Sequence, residues 1–121
     1  MEARRIIGSR AEQRVVEYLT RRGWLVRDRN VTCRYGELDV VAEQGDVLAF
    51  VEVRMRSSDR WGEPSASVVH RKQRRVVKAA VEYCQKRGLF ERVIRFDVAS
   101  LIGDGPGGSL EYIEGAFEAW F

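Results

Sequence analysis

The stretch that decides the fold is GELDVVAEQGDVLAFVEVR, which spans residues 36–54. Two segments rich in apolar residues, 36–42 and 47–54, flank the dipeptide Gly45-Asp46. A Gly-Asp pair between two such segments is typical of a two-residue hairpin turn. The stretch therefore predicts two adjacent antiparallel strands.

The register of this hairpin brings two carboxylates together. If Gln44 pairs with Val47, Asp39 lies directly opposite Glu52 on one face. Directly opposed side chains have Cβ atoms about 4.5–5.5 Å apart, and like charges placed there are destabilising. Two such carboxylates need a cation or a shared proton, so the pair predicts a site rather than a core. The opposite face is apolar and carries Leu38, Val40, Ala42, Val47, Ala49, Val51 and Val53.

Composition narrows the class of protein. A chain of 121 residues with 45% hydrophobic and 32% charged residues is typical of one soluble globular domain, 1–121. No apolar run approaches the roughly 20 residues of a membrane-spanning helix, and we find no secretory signal. Cys33 and Cys84 are too few for a disulfide framework or a zinc site. We therefore expect a cytoplasmic protein without a membrane partner.

Periodicity along the rest of the chain completes the predicted order of elements. The order is a helix, three strands, a second helix and a further strand, with an optional strand at the edge. This order predicts an α/β protein with an α-β-β-β-α-β core, in which helices flank a mixed sheet. The predicted segments outside the hairpin are helices over 6–22 and about 67–87, and strands over 24–31, 93–99 and 110–113.

One polar residue interrupts the apolar stripe of each helix. Glu12 shares its stripe with Val15 and Leu19, and Gln73 shares its stripe with Val76. An ionised carboxylate is almost never buried without a partner, and a buried amide needs hydrogen bonds. A salt bridge to an arginine would satisfy Glu12 by itself. The coincidence of two inward polar groups favours a site shared with the hairpin acids.

A magnesium ion, or manganese in its place, suits this set of residues. Mg²⁺ prefers oxygen ligands and binds through one or two carboxylates together with water and phosphate. We expect Asp39 and Glu52 to be metal ligands, with Glu12 in the inner or outer coordination shell. Arg54 follows Glu52 by two residues on the same face and can hold a phosphate through two parallel hydrogen bonds. The combination indicates hydrolysis of a phosphodiester.

A basic segment at the start of the second helix predicts a nucleic-acid surface. Its cations cannot all face inward, because apolar residues occupy the buried stripe of the helix. Exposed cations suit a phosphate backbone, although a charge run is also compatible with an ordinary solvated helix face. The candidate phosphate-binding residues are Arg56, Arg71, Lys72, Arg74, Arg75 and Lys78.

These motifs resemble the PD-(D/E)XK nuclease superfamily, whose pattern is a helix glutamate, an aspartate on one strand and Glu-x-Lys on the next. The chain is more closely similar to the bacterial YraN family of endonuclease-like proteins, related to archaeal Holliday-junction resolvases. The motifs that carry the resemblance are Gly8 with Glu12, residues 34–39, residues 50–54, Lys72-Gln73 and residues 95–97.

The resemblance implies a restriction-endonuclease-like fold and a metal-dependent endonuclease that cleaves DNA, including branched or damaged DNA. One departure from the superfamily pattern is Arg54, where active nucleases carry lysine; an arginine stays protonated and cannot act as a base. The catalytic residues that the resemblance implies are Glu12, Asp39, Glu52, Arg54 and Gln73.

Two other functions stay open on the sequence. The first is a nucleic-acid-binding protein that keeps the fold without turnover. The second is a structural or interaction protein in which the acids form ordinary ion pairs. A homodimer is as compatible with the sequence as a monomer.

Overall fold

A computed structural model describes the backbone of residues 2–56, 66–103 and 108–119, and the side chains within 10–55, 71–103 and 108–119. These residues form two helices and five strands in the predicted α/β order, with the optional edge strand present. The elements are α1 (Glu2–Arg21), β1 (Leu25–Thr32), β2 (Glu37–Gln44), β3 (Val47–Arg56), α2 (Ala66–Arg87), β4 (Val93–Ile102) and β5 (Ser109–Phe117).

The five strands form one mixed sheet in the order β1-β2-β3-β4-β5. Neighbouring strands are antiparallel except β3 and β4, which are parallel and joined through α2. A parallel pair needs a crossover connection, and α2 supplies it. The mixed sheet predicted from the sequence is confirmed.

Each helix covers one face of the sheet. On the α1 side, Ala11, Val15 and Leu19 pack against side chains that include Val40 and Val51. The α2 side contains the bulkier cluster, in which Phe50 and Phe96 stack with their ring centroids 5.8 Å apart. The α2 residues buried in this cluster are Val76, Val77, Ala79, Ala80, Tyr83 and Cys84. No helix of the described residues is long and apolar enough to cross a bilayer.

The hairpin has the predicted register, but its alternation breaks at Asp39. Gln44 pairs with Val47, and the paired positions continue in step to Val40 and Val51. At the next level the Asp39 side chain takes part in the pairing, because its Oδ2 accepts a hydrogen bond of 2.9 Å from the backbone N–H of Val53. Asp39 therefore lies beside β3 instead of standing straight out from the sheet.

This break makes one predicted face assignment wrong. Leu38 was expected beside Val40 and Ala42, but it packs in the α2-side cluster while those two residues pack against α1. At the same level on β1, Asn30 has a left-handed backbone with φ of 51°, between the residues that pair with Val40 and Leu38. A residue with that conformation interrupts the strict alternation of a strand.

The edge strand β5 is longer than the predicted 110–113 because a buried carboxylate anchors it. Its pairing with β4 shifts between Phe96 and Val98, which indicates a bulge in β5 opposite Asp97. The N–H of Gly115, a residue with φ of 58°, donates to Asp97 Oδ1 over 2.9 Å. The bulge bends β5 around Asp97 and keeps the strand paired to the sheet.

Candidate active site

A cavity of about 550 Å³ lies between the hairpin and the first turns of α2. Asp39 and Glu52 both line it, so the structure brings the two predicted acids together. One wall is formed by the hairpin strands and the other by α2. The cations on the α2 wall are Arg71, Lys72 and Arg75.

Glu52 is the most unusual residue of the cavity. It is a carboxylate with only 4% of its surface exposed. Lys72 Nζ lies 2.7 Å from its Oε1, which makes an ion pair without the alignment of a hydrogen bond. Neither carboxylate oxygen of Glu52 has a hydrogen-bond partner among the described residues. A buried charge with one half-exposed partner is costly.

The surroundings of Asp39 also disfavour the charged form of its carboxyl. Burial, together with the negative charges of Glu52 and Glu12, raises the pKa of its carboxyl to about 6. The hydrogen bond from Val53 and the ammonium of Lys72 act in the opposite direction but do not compensate. Burial is the largest cause of the raised pKa, and the charges of the two other acids add to it.

Glu12 approaches the acids but is already held by other groups. Its Oε1 accepts a hydrogen bond of 2.7 Å from Asn30 Nδ2, and Arg29 Nη2 lies 3.8 Å from the same oxygen. These contacts match the alternative in which an arginine satisfies Glu12. Among the described side chains, no three histidine, cysteine, aspartate or glutamate residues form a group able to hold a metal ion. The predicted three-carboxylate metal set is thus not preassembled.

The remaining predicted catalytic residues lie outside the cavity wall. Arg54 is half-buried on β3 and pairs in register with Ser100, but it does not line the cavity. Gln73 is also half-buried and absent from the wall. Of the predicted catalytic residues, the cavity wall therefore contains Asp39 and Glu52.

The predicted phosphate-binding cations divide into three groups. Arg71, Lys72 and Arg75 are exposed and line the cavity. Arg74 is exposed elsewhere on α2, and Lys78 lies with its Nζ 5.2 Å from the ring centre of Tyr35. The side chain of Arg56 lies outside the described residues.

Sequence reasoning missed the direct pairing of Lys72 with Glu52. It placed Gln73 on the buried stripe of α2 and assigned Lys72 to the outer surface. The buried face of α2 is wider than that stripe, because it also includes Ala79 and Tyr83. Ala79 and Tyr83 follow Lys72 by seven and eleven residues on the same helix face. Their apolar character was the signal that Lys72 lies at the edge of the core.

A close approach of two backbones holds the cavity walls together. A Cβ atom added at Gly36 would lie 3.4 Å from both the Cβ and the carbonyl oxygen of Arg75. Such contacts are tight, so Gly36 allows the start of β2 to pack directly on α2. This contact positions the Arg75 side chain over the cavity that contains Asp39 and Glu52.

The chain matches the model of the uncharacterised protein family UPF0102 over residues 11–101. The chain belongs to this family. A UPF0102 protein of Myxococcus xanthus is 54% identical over 116 residues, which cover 96% of this chain and 92% of the relative. A UPF0102 protein of Geobacter metallireducens is 39% identical over 112 residues, which cover 93% and 92%. The family resemblance predicted from the motifs is confirmed, and the matched segment of this UPF0102 chain contains every residue of the candidate site.

Proposed function

We propose that this UPF0102 protein is a metal-dependent endonuclease that hydrolyses phosphodiesters of DNA. The observation that carries the proposal is the buried carboxylate of Glu52, which accepts no hydrogen bond from the described residues. It lies beside Asp39 in a cavity whose opposite wall includes three cations among the described side chains. Acids alone would repel a phosphate, and cations alone would only bind it. Both together suit a site that receives a metal ion and a phosphate.

The residues present fit a divalent cation of the magnesium type. Mg²⁺ commonly takes one or two protein carboxylates and keeps several waters, and Asp39 and Glu52 supply two carboxylates in a cavity with room for water. When bound, the ion would polarise a phosphoryl oxygen and lower the pKa of a coordinated water. Glu12 contributes negative charge near this position while its carboxylate stays bonded to Asn30.

The chain's own residues then bind and orient the phosphate. Lys72 neutralises Glu52, while Arg71 and Arg75 present exposed guanidinium groups that can hold phosphate oxygens bidentately. Arg54 stays protonated and supplies positive charge only. Since none of these cations acts as a base in this scheme, turnover is expected to be slow and to depend on the metal.

Cleavage is tested under single-turnover conditions with linear, flapped and four-way DNA in manganese or magnesium. We expect slow cleavage by the parent and none by Glu52→Gln, which removes the charge of a metal ligand while keeping its size. Glu17→Gln is the matched control, because Glu17 is an exposed carboxylate on α1, on the opposite side of the sheet. Arg54→Lys is expected to preserve or raise the rate and Arg54→Ala to lower it. Equal rates for the parent and Glu52→Gln would refute the assignment of the site.

Binding is tested through its salt dependence. Replacing Arg71 and Arg75 together by glutamate should weaken DNA binding and flatten the plot of log affinity against log salt, because fewer counterions are released. The control is Arg10→Glu with Arg21→Glu, which changes the net charge equally at exposed positions of α1. If both double variants lose the same affinity, the effect is one of net charge, and the cavity is not the binding surface.

The second candidate is a DNA-binding protein of the same fold without turnover. Two observations favour it: the described acids do not form a preassembled three-ligand metal group, and Arg54 stands where the nuclease pattern has lysine. DNA and metal binding without cleavage by either the parent or Arg54→Lys would select this candidate. Absence of both DNA and metal binding would leave the ion-pair interpretation.

A further inference from the structure

Tyr35 is an exposed aromatic residue at the edge of the candidate active site. Its side chain is 49% exposed and belongs to neither hydrophobic cluster. It precedes Gly36, which lines the cavity, in the short connection between β1 and β2. A tyrosine ring exposed at the rim of a cavity offers an apolar face and a hydroxyl group to a ligand held there.

The connection that carries Tyr35 is firmly held on both sides. The N–H of Cys33 donates to the carbonyl oxygen of Gly36 over 2.8 Å, which closes the turn. The N–H of Arg34 donates to Glu82 Oε2 over 3.1 Å, which ties the turn to α2. The ring is therefore presented from an ordered backbone, so little conformational entropy is lost when a ligand binds it.

Cations surround the Tyr35 ring and continue from it to the cavity. Lys78 Nζ lies 5.2 Å and Arg34 Cζ lies 5.4 Å from the ring centre. Lys78 also follows Arg71 and Arg75 by seven and three residues, so the three form one stripe along α2. A row of cations that ends at an aromatic ring is the arrangement that holds a single-stranded backbone along the cations and a base on the ring.

We propose that Tyr35 stacks on an unpaired base next to the phosphate that the cavity receives. This inference rests on the proposed function and deepens it, because it names the substrate class as nucleic acid with a single-stranded nucleotide at the cleavage position. The faces of bases inside a duplex are covered by their neighbours, whereas an unpaired base exposes its face to an aromatic ring. Lys78 and Arg34 are both exposed, so either can move from the ring to an adjacent phosphate when the base arrives.

The experiment compares the affinity for a single-stranded oligonucleotide with the affinity for the matched duplex. The single strand carries one 2-aminopurine, whose fluorescence falls when it stacks. Tyr35→Ala should weaken single-strand binding about 5- to 150-fold, the range expected for one lost base–aromatic stack. It should also abolish the fluorescence quenching and leave duplex affinity within about twofold. Tyr35→Phe keeps the ring and should behave as the parent does.

The control is Phe90→Ala, which removes an exposed aromatic residue at the other end of α2, beside a different cavity. If Tyr35→Ala lowers the affinity for single strand and for duplex equally, the stacking role is overturned. The same conclusion follows if Tyr35→Phe or Phe90→Ala lowers the single-strand affinity as much as Tyr35→Ala does. If the parent binds both DNA forms and Tyr35→Ala changes neither the single-strand affinity nor the quenching, this inference alone is refuted. A parent that binds no DNA even at low salt refutes the proposed function together with it.

Discussion

Two buried carboxylates lie on neighbouring parallel strands of this sheet, and they differ in the number of hydrogen bonds that they accept. Asp97 on β4 pairs in register with Val51, one residue before Glu52 on β3. Asp97 is fully buried and accepts four hydrogen bonds, two from Arg95, one from the hydroxyl of Tyr112 and one from the N–H of Gly115. Glu52 is almost as buried, yet it has one ion pair and no hydrogen bond among the described residues.

The difference separates a carboxylate whose hydrogen bonds hold β4 and β5 together from one that accepts no hydrogen bond from the described residues. Donors from three residues converge on the Asp97 carboxylate. Burial, together with its hydrogen bond to Asp97, raises the pKa of the Tyr112 hydroxyl above its ordinary value. Arg95 in turn lies with its Cζ 5.0 Å from the ring centre of Trp24, so the network joins β4, β5 and the residue that precedes β1. Glu52, in contrast, lines a cavity. Burial alone therefore does not separate the two acids, whereas the number of hydrogen bonds that each accepts does.

The largest expected effect is the loss of stability on neutralising Asp97. Asp97→Asn should cost about 3–5 kcal/mol of unfolding free energy, because it breaks a buried charge pair and turns two amide hydrogens toward donors. The matched change Glu52→Gln should alter stability by less than about 1 kcal/mol, since no hydrogen bond among the described residues is lost. Urea denaturation with a common m-value measures both. Equal costs would mean that Glu52 is a structural acid as well.

The second expected effect is a stability change with pH that depends on Asp39. Its folded pKa of about 6 lies above the ordinary 3.8, so the folded protein binds the proton more tightly than the unfolded chain does. The penalty is fully present above pH 6 and is relieved as pH falls from about 6 to 4. Relief amounts to at most about 3 kcal/mol, from about 1.4 kcal/mol for each pKa unit.

Asp39→Asn removes this penalty, so the variant should be more stable than the parent at pH 7 and equal to it near pH 4. Urea denaturation of both proteins across this pH range, in metal-free buffer, isolates the contribution of Asp39. Glu17→Gln provides the control for general charge effects. A difference that stays constant with pH would mean that Asp39 is not strained in the folded protein.

The hairpin and the helices could be predicted because their signals are local. The Gly45-Asp46 turn and the alternation after it fix the register from Gln44 to Val40 within a few residues of chain. Leu38 was misassigned because the alternation breaks at Asp39, at the level where Asn30 of the neighbouring strand has a left-handed backbone that was not predicted. The sequence pattern therefore predicts which face each strand residue occupies only as far as the first irregular pair of strand positions.

Contacts between distant segments could not be predicted from these patterns. The pairing of Lys72 with Glu52 depends on how α2 lies over the hairpin, and the network of Asp97 depends on a bulge in β5. The sequence pointed to Glu52 because the hairpin register sets it opposite Asp39, and it assigned no role to Asp97. What separates the two acids is the set of donors around each, and these donors come from other strands.

The third expected effect is stabilisation by a divalent cation. At ten times its dissociation constant, a ligand of the folded state alone adds about 1.4 kcal/mol of unfolding free energy. We expect the melting temperature to rise with manganese or magnesium in the parent, in Glu17→Gln and in the Arg71→Glu variant. Glu52→Gln and Asp39→Asn should not respond, because each neutralises one of the two cavity carboxylates. A melting curve of the parent that does not change at saturating metal would contradict the metal site.

The smallest expected effect is the coupling energy between Glu52 and Lys72, which tests the comparison directly. A double-mutant cycle with Glu52→Gln and Lys72→Met isolates the pairwise energy. We expect less than about 1 kcal/mol, because the Lys72 side chain is 55% exposed and solvent screens its charge. The matched cycle with Asp97→Asn and Arg95→Met should give about 1.5–3 kcal/mol, because two charge-assisted hydrogen bonds join the partners. Equal coupling in the two cycles would show that Lys72 satisfies Glu52 as fully as Arg95 satisfies Asp97, and the case for a vacant ligand position at Glu52 would then fail.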